Sequence, residues 1–383
     1  MRKVISDTRI PIKMWLDDAE DGAIEQARNL AKLPFAFRHV ALMPDCHQGY
    51  GMPIGGVLAT KGVVVPNAVG VDIGCGMCAA RTNIIDMTPD VLKAIVGKIR
   101  ESIPVGFKHH DRPMFWEGFD DCPDIPILRQ ELKSARYQLG TLGGGNHFIE
   151  IQKGGDGKVW VMLHSGSRNF GYKIANHYHE VAKKLCEKWH SDLPHKDLAF
   201  LPLDSGEGQE YLCAMQYALD FAQANRDFML AEIEEVLGEV AEVRFKEIIN
   251  IHHNYATMEH HFGENVLVHR KGATSAKKDQ LGIIPGSQGT RSYIVLGKGN
   301  PESFMSCSHG AGRRMGRAQA KRELSVEAEA KALDDQGILH SIRGVDDLDE
   351  APSAYKDIDL VMKNQEDLVE ISVALRPLAV IKG

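Results

Sequence analysis

Apolar residues recur at helical spacing in four stretches of the chain. The spacing predicts a helix from Asp90 to Ser102, a long helix over residues 209–239 and another from Gly316 to Leu333. A further helix follows residue 168 and is indicated by four apolar residues that share one face, namely Ile174, Tyr178, Val181 and Leu185. Glycine- and histidine-rich loops separate these helices, and loops of this kind often carry functional sites.

Apolar runs typical of strands lie between the helices. They are VWVMLHS (159–165), IINIHH (248–253), NVLVHR (265–270), RSYIVLG (291–297) and EISVALRPLAVIKG (370–383). Residues 39–66 and 69–84 have the pattern of short strands joined by tight turns. The order of elements predicts an α+β fold with central strands surrounded by helices. No internal repeat or linker is visible, so we expect one compact domain spanning residues 1–383.

Composition narrows the functional class. Of 383 residues, 43% are hydrophobic and 25% are charged, which is typical of a globular protein. The net charge of −7 argues against a protein that coats nucleic acid with a basic surface, although residues 269–278 and 313–322 are locally basic.

No apolar run is long enough to span a membrane, and the N-terminus has no signal-peptide pattern, so a cytosolic protein is expected. The seven scattered cysteines are expected to be thiols or ligands.

The segment GVDIGCGMC combines a carboxylate and a thiol within one glycine-bent turn. Asp72 and Cys75 are three residues apart, a spacing that suits half of a metal site. A redox or zinc-binding pair of Cys75 and Cys78 is an alternative, and an ordinary buried turn is another. The redox pair is disfavoured because such a pair begins a helix, whereas CAARTNI has a strand pattern.

Three other histidines lie where strands meet glycine-rich loops. In LGGGNHFIE, the glycines permit close backbone approach, and Asn146, His147 and Glu150 supply an amide, an imidazole and a carboxylate. His164 ends the strand VWVMLH, directly before a helix N-terminus suited to anions. In INIHHN, strand alternation places His253 on the same face as the isoleucines, where a buried imidazole needs a partner such as a metal. Each of these histidines alone is also compatible with a structural role.

Two segments have the composition of phosphate-binding loops. PGSQGTRSYIV (285–295) offers backbone amides and hydroxyl groups, although ordinary turns use the same residues. SCSHGAGRR places His309 among small residues, with Arg313 and Arg314 close behind. A neutral imidazole can attack phosphorus, so His309 is a candidate nucleophile; a general base, a metal ligand and a plain loop histidine remain alternatives. Neither a Walker A motif nor the KxDG signature of lysine-dependent ligases is present.

Taken together and in order, these segments resemble the RtcB family of RNA ligases. The similarity covers residues 39–383 and rests on DCHQGYGMPIGG, GVDIGCGM, LGGGNHFIE, HSGSR, HHNYA, HRKGAT, PGSQGTRSYIV, SHGAGR and VIKG. The resemblance implies a GTP- and manganese-dependent ligase that joins RNA 3'-phosphate or 2',3'-cyclic phosphate ends to 5'-hydroxyl ends. It implies an active site in a cleft rich in glycine and histidine.

The resemblance also assigns roles to individual residues. His309 matches the family's guanylylated nucleophile. The metal ligands for two Mn²⁺ ions, with Cys75 bridging them, match Asp72, Cys75, His147, His164 and His253. Positions that contact the guanylate or its phosphate match Asn146, Glu150, Ser287, Ser292, Arg313 and Lys382. The implied reaction opens any cyclic phosphate, transfers GMP from His309 to the RNA 3'-phosphate, and releases GMP when the 5'-hydroxyl attacks.

The motifs leave three regions unmatched: residues 1–38, 100–135 and 190–245. Contacts with RNA or with an activating protein partner could differ there. The chain is shorter than family members devoted to tRNA splicing, which favours a role in RNA repair. Two other functions fit part of the sequence: a metal-dependent cyclic phosphodiesterase that does not ligate, and a redox or zinc-structural protein built on Cys75, Cys78 and Cys46.

Overall fold

The fold consists of nine helices, two main β-sheets and two small two-stranded sheets in the computed structural model, which describes residues 1–383. The helices are α1 (Asp21–Lys32), α2 (Pro66–Val69), α3 (Pro89–Ser102), α4 (Pro126–Gln138), α5 (Arg168–Lys188), α6 (Gly206–Ala241), α7 (Arg317–Glu323), α8 (Val326–Asp334) and α9 (Ile358–Asn364). The first eight strands are β1 (Lys3–Ile5), β2 (Ile12–Met14), β3 (Ala36–His47), β4 (Ile54–Thr60), β5 (Val63–Val64), β6 (Gly76–Thr82), β7 (Phe148–Gly154) and β8 (Val159–Ser165). The others are β9 (Leu201–Pro202), β10 (Phe245–His252), β11 (Asn254–His261), β12 (Glu264–Lys271), β13 (Ala273–Ser275), β14 (Leu281–Ile284), β15 (Ser292–Gly297), β16 (Ser306–Ser308) and β17 (Val369–Lys382).

The larger sheet has seven strands in the order β10-β6-β8-β7-β17-β15-β14, and every pair is antiparallel. The last strand of the chain, β17, therefore lies inside the sheet between β7 and β15. The first residues of β6 and β7 lie beside the last residues of β8, so that Met77 of β6 and Phe148 of β7 are both opposite His164. This register gathers the loops that carry the predicted site residues.

The smaller sheet has six strands in the order β1-β2-β3-β4-β12-β11. Its one parallel pair is β2 with β3. The long strand β3 ends in the residues DCH, and its register with β4 is interrupted between Leu42 and His47. This irregular end of β3 carries Asp45 toward the other sheet.

Helix α6 is the central helix of the fold. Its 36 residues begin at the Ser205 cap, whose hydroxyl accepts a hydrogen bond from the Gly208 amide. The helix packs against both α3 and α5. Its middle is buried on more than one face, since Phe221, Asn225 and Arg226 are all almost inaccessible. A helix buried in this way can support surrounding loops directly.

The observed elements confirm the predicted mixed class and most of the predicted helices and strands. The helix predicted from Gly316 to Leu333 is wrong as one element: α7 and α8 are separate, because Ser325 caps α8 by accepting a hydrogen bond from Ala328. Strand β11 and helices α1, α4 and α9 were not predicted. The assignment of residues 1–383 to one domain stays a prediction. No helix is both long and apolar enough to cross a membrane.

Candidate active site

The five predicted metal ligands come from four separate segments and converge in space. Asp72 and Cys75 lie in the turn between α2 and β6, and His147 directly precedes β7. His164 lies in β8, and His253 connects β10 to β11. The backbone amide of His253 donates to the Cys75 carbonyl at 2.9 Å, which joins two of these segments directly.

The donor atoms of this cluster are in contact with one another. The Cys75 Sγ lies 3.5 Å from His147 Nε2 and 3.2 Å from His164 Nε2. His164 Nε2 lies 3.3 Å from His253 Nε2, and His147 Nε2 lies 3.3 Å from an Asp72 carboxylate oxygen. Nitrogen, sulfur and oxygen donors therefore surround one small volume.

Burial sets the protonation states of the cluster. Burial lowers the pKa of His164 and of His253 well below the usual value, so both imidazoles are neutral and have a free lone pair. Burial raises the pKa of the Cys75 thiol, and the nearby Asp72 carboxylate raises it further. Burial opposes ionisation of Asp72, but hydrogen bonds with His147 and Cys75 hold its pKa below the usual range.

These residues fit a divalent cation. The Nδ1 atom of His164 faces the Asn146 carbonyl at 3.0 Å, so Nδ1–H donates there and Nε2 is left as a ligand. Cys75, His147 and His164 form a group whose donor atoms all lie within 4.8 Å of one another. The Cys75 thiolate requires a positive charge beside it to form at neutral pH, and a metal ion would supply that charge. The donor set alone is compatible with manganese, zinc or iron.

One glycine keeps this geometry possible. Gly143 has φ +92°, and a Cβ there would collide with the Arg168 guanidinium and with His147 Nδ1. Glycine at position 143 therefore lets the backbone of the LGGGNH segment come closer to the cluster than a residue with a side chain would allow.

His309 lies beside the cluster, on the side of His253. Their ring centroids are 4.8 Å apart. The Nδ1 atom of His309 is 2.6 Å from an Asp45 carboxylate oxygen, and the same oxygen accepts the His309 backbone amide at 3.0 Å. Asp45 is fully buried, and its other carboxylate oxygen has no hydrogen-bond partner. The carboxylate thus fixes the orientation of the imidazole through Nδ1, which leaves Nε2 on the opposite side of the ring from Asp45.

Sequence reasoning did not single out Asp45. The residue lies within the quoted DCHQGYG segment, but 264 positions separate it from His309. Only the irregular end of β3 brings it near. The signal available in the sequence was an acidic residue at the end of an apolar strand, next to a glycine-rich loop.

A second group of predicted residues lines the sheet next to the cluster. Glu150 is buried in β7 and accepts a hydrogen bond from Gln152 Nε2 at 2.6 Å. The same amide reaches the Ser292 hydroxyl at 3.2 Å, and that hydroxyl accepts the Gly286 amide at 3.1 Å. Burial raises the pKa of Glu150 to about 7. Ser287 lies in the adjoining turn, where its amide donates to Thr290 at 2.7 Å.

Arg313 and Lys382 meet at a buried carboxylate that the sequence did not suggest. Arg313 Nη1 donates to Glu350 at 3.1 Å, Arg317 Nε donates to the same oxygen at 3.2 Å, and Lys382 Nζ is 3.8 Å from the other. The Tyr355 hydroxyl also donates to Glu350. These contacts hold three cations along one wall of the site. Of the predicted residues, only the Asn146 side chain is exposed to solvent.

The remaining cysteines do not join the cluster. Cys78 packs in a hydrophobic core with Ala80, Leu163 and Ile233, and burial raises the pKa of its thiol to about 12. Cys46 belongs to another core. All seven cysteines are free thiols. Cys78 begins no helix, as predicted, because it lies within β6.

The chain is similar to known proteins along nearly its whole length. Residues 26–383 match the family described as tRNA-splicing ligase RtcB. RNA-splicing ligase RtcB of Escherichia coli K12 is 40% identical over 411 aligned positions, which cover 100% of this chain and 99% of that protein. The tRNA-splicing ligase RtcB of Thermococcus kodakarensis is 33% identical over 461 positions, covering 98% and 95% of the two chains. The RNA-splicing ligase RtcB of Mycobacterium bovis is 32% identical over 435 positions, covering 94% and 100%. The chain belongs to the RtcB family.

Proposed function

We propose that this protein is an RNA ligase that joins RNA 3'-phosphate or 2',3'-cyclic phosphate ends to 5'-hydroxyl ends, with GTP as co-substrate and two Mn²⁺ ions as cofactors. The observation that carries the proposal is the pairing of His309 with the buried Asp45 carboxylate beside the cluster of Cys75 and histidines. A histidine oriented in this way is a nucleophile in position, and family membership supplies RNA as the substrate class.

His309 would begin the reaction. Because Asp45 accepts the Nδ1 proton, the Nε2 lone pair is free to attack the α-phosphorus of GTP. A P–N bond forms, the bond to the β-phosphate oxygen breaks, and pyrophosphate leaves. Asp45 then stabilises the positive charge that the substituted imidazole carries.

Transfer to RNA would return His309 to its starting state. An oxygen of the RNA 3'-phosphate attacks the GMP phosphorus, the P–N bond breaks, and RNA carrying a 3'-to-5' pyrophosphate bond to G is formed. The 5'-hydroxyl of the second strand then attacks the RNA 3'-phosphorus and expels GMP. Arg313 and Lys382 would balance the negative charge of the guanylate; their shared contact with the single Glu350 carboxylate, which cannot neutralise both, supports this role.

The metal ligands proposed here are Asp72, Cys75, His147, His164 and His253. Divalent cations held there would neutralise charge on the attacking and leaving oxygens of each phosphoryl transfer. The chain's own contribution is to keep the imidazoles neutral and their Nε2 atoms pointed inward.

The test is an incubation of the purified protein with MnCl₂ and GTP labelled at the α-phosphate. We expect an acid-labile, alkali-stable protein adduct that disappears in His309→Ala. An adduct that persists in His309→Ala, or no adduct with any divalent metal, would refute the proposed mechanism. In the second case, hydrolysis of 2',3'-cyclic phosphate RNA without joining would identify a metal-dependent phosphodiesterase.

We also propose repair of cleaved RNA, rather than tRNA splicing, as the physiological role. The alignment with the Thermococcus protein is longer than this chain, so that relative contains segments that this chain lacks. The rates of joining a nicked stem-loop RNA and a pair of tRNA halves with their intron removed can be compared directly. Faster joining of the tRNA halves would contradict the repair role.

A further inference from the structure

A tight turn after α3 presents an aromatic ring to solvent. The amide of Lys108 donates to the Val105 carbonyl at 3.2 Å, so Gly106 and Phe107 occupy the corner of the turn. Gly106 has φ +67°, which closes the turn. The Phe107 side chain is 98% exposed and packs against nothing in the protein. An aromatic ring held on a turn in this way contributes no core packing.

The turn is anchored to the loop that carries His147. The Gly106 amide donates to the Gly143 carbonyl at 3.2 Å, and Arg168 Nη2 donates to the Gly106 carbonyl at 2.9 Å. Arg168 also donates to the Thr141 hydroxyl at 3.1 Å. Since Gly143 packs directly against His147, the turn that carries Phe107 is tied to the loop next to the cluster.

A cationic groove adjoins the same turn. It encloses about 340 Å³ and is lined by Arg100, Lys108, Arg343 and Lys382, with no acidic side chain in its wall. Arg100 donates to the Ser341 hydroxyl, and Arg343 donates to the carbonyls of Ile342 and His340. Neither guanidinium is neutralised by these partners. In a chain of net charge −7, this concentration of positive charge is local.

We propose that Phe107 and this groove together grip single-stranded RNA next to the reacting ends. Phe107 would stack on an unpaired base, and Arg100, Lys108 and Arg343 would bind the backbone phosphates of the same strand. An exposed ring beside unpaired cations is the combination that single-stranded nucleic acid binding requires. The inference rests on the proposed function, because it assumes RNA as the substrate.

Binding measurements test the proposal without turnover. Fluorescence anisotropy would use a labelled single-stranded RNA of roughly ten nucleotides, with MnCl₂ and without GTP. Phe107→Ala should raise Kd about five-fold or more, and Phe107→Trp should restore it. The matched control is Phe115→Ala, because Phe115 is also exposed, at 68%, but does not belong to the 105–108 turn, whose Val105 and Lys108 line the groove. An unchanged Kd in Phe107→Ala, or an equal loss in Phe115→Ala, would overturn the proposal.

The groove is tested by salt dependence. Arg343→Gln and Arg100→Gln should each reduce the slope of log Kd against log salt concentration by about 0.7, the value for one phosphate contact on a single strand. Unchanged slopes would remove the groove from the proposal. Parallel titrations with a 3'-phosphate strand and a 5'-hydroxyl strand show which of the two strands occupies it, since only that strand should respond to Phe107→Ala.

The ligation mechanism and the RNA grip can be tested separately. Adduct formation by the unaltered protein with labelled GTP requires no RNA. If the adduct forms and Phe107→Ala binds RNA normally, only the RNA grip is wrong. If no adduct forms, the proposed ligation mechanism is wrong, whatever the RNA affinity of the variants.

Discussion

The side chain of Asp45 offers the sharpest test at the scale of single residues. Asp45→Asn keeps the shape but removes the charge and lets an amide donate where the carboxylate accepted. His309 would then lose the acceptor that fixes its tautomer. We expect adduct formation with GTP to slow by roughly 100-fold or more, as for loss of an orienting carboxylate elsewhere.

The rate can be measured by quenched-flow labelling with α-labelled GTP. Asp156→Asn is a suitable control, since Asp156 pairs with Arg81 at the far end of β6. A rate within two- or three-fold of the unaltered protein would show that Asp45 has no role in orienting His309.

Glu150 should make folding stability depend on pH. Burial raises its pKa to about 7 from an ordinary value of 4.5, so the folded state holds the proton between these pH values and the unfolded state does not. The free energy of unfolding should therefore fall as pH rises from about 4.5 to about 7. A shift of this size corresponds to roughly 3 kcal/mol.

Glu150→Gln removes the titrating group and should flatten this part of the profile. Urea unfolding at pH 5 and pH 7.5 gives the comparison. An equal fall in both proteins would mean that another group causes the pH dependence.

The candidate site shows what residue patterns can and cannot reveal. Alternation in INIHHN predicted the inward face of His253, and Asn250 and His252 do face the other way, toward Arg226. The pairing of Asp45 with His309 was not predictable, because it joins positions 264 residues apart. Glu350 was missed for the same reason. Its importance comes from the cations that surround it, not from its neighbours in the sequence.

At the scale of elements, α6 holds the loops of the cluster in place. Asn225 accepts the amides of Gly140 and Thr141, and its own amide donates to the Gly166 carbonyl. Arg226 donates to the carbonyls of Gly74 and Ser165. Two consecutive residues of one helix thus fix three of the segments that adjoin the proposed metal ligands.

Arg226→Met should damage both stability and metal binding. The substitution removes the hydrogen bonds that the guanidinium donates to two buried carbonyls and to Asn250, so we expect a loss of about 3 kcal/mol or more in the free energy of unfolding. Metal affinity should fall as well, because the loop of Asp72 and Cys75 would no longer be fixed. Denaturant unfolding and metal titration calorimetry measure the two effects.

Arg81→Gln provides the comparison, since the half-exposed Arg81 pairs with Asp156 at the surface and should cost less than about 1 kcal/mol. Normal metal affinity in Arg226→Met would show that α6 stabilises the fold without organising the cluster.

Two of the differences between the predicted and the observed elements have identifiable causes. Strand β11 is an edge strand of the smaller sheet, and only some of its residues are buried, so its apolar pattern is weak. The break between α7 and α8 arises because a serine hydroxyl caps a new helix within a stretch that keeps its apolar spacing. Long buried elements such as α6 and β8 gave clear patterns and were predicted.

For the whole molecule, the metal cluster should act as a clamp between distant parts of the chain. Its proposed ligands span positions 72 to 253 and come from β8 and the segments next to β6, β7 and β10, which are four neighbouring strands of the larger sheet. A cation that binds only the folded state adds about 2.7 kcal/mol to stability at one hundred times its Kd. MnCl₂ should therefore raise Tm in thermal unfolding, and EDTA should reverse the rise.

Two cysteine variants make this test specific. Cys75→Ser should abolish the manganese-dependent rise in Tm, whereas Cys78→Ser should lower Tm through its core position but keep the rise. Loss of the rise in both variants would instead support a site built on the cysteine pair.

The position of β17 in the sheet determines when, during synthesis of the chain, the candidate site can first be complete. This strand contains the last segment of the sheet to be synthesised, yet it lies between β7 and β15 and brings Lys382 to Glu350. Until it inserts, β7 and β15 have no partner between them and the wall of cations is incomplete. If His309 reacts with GTP as proposed, a nascent chain still held by the ribosome at this segment should form no adduct, and RNA joining should begin only after synthesis has passed residue 382.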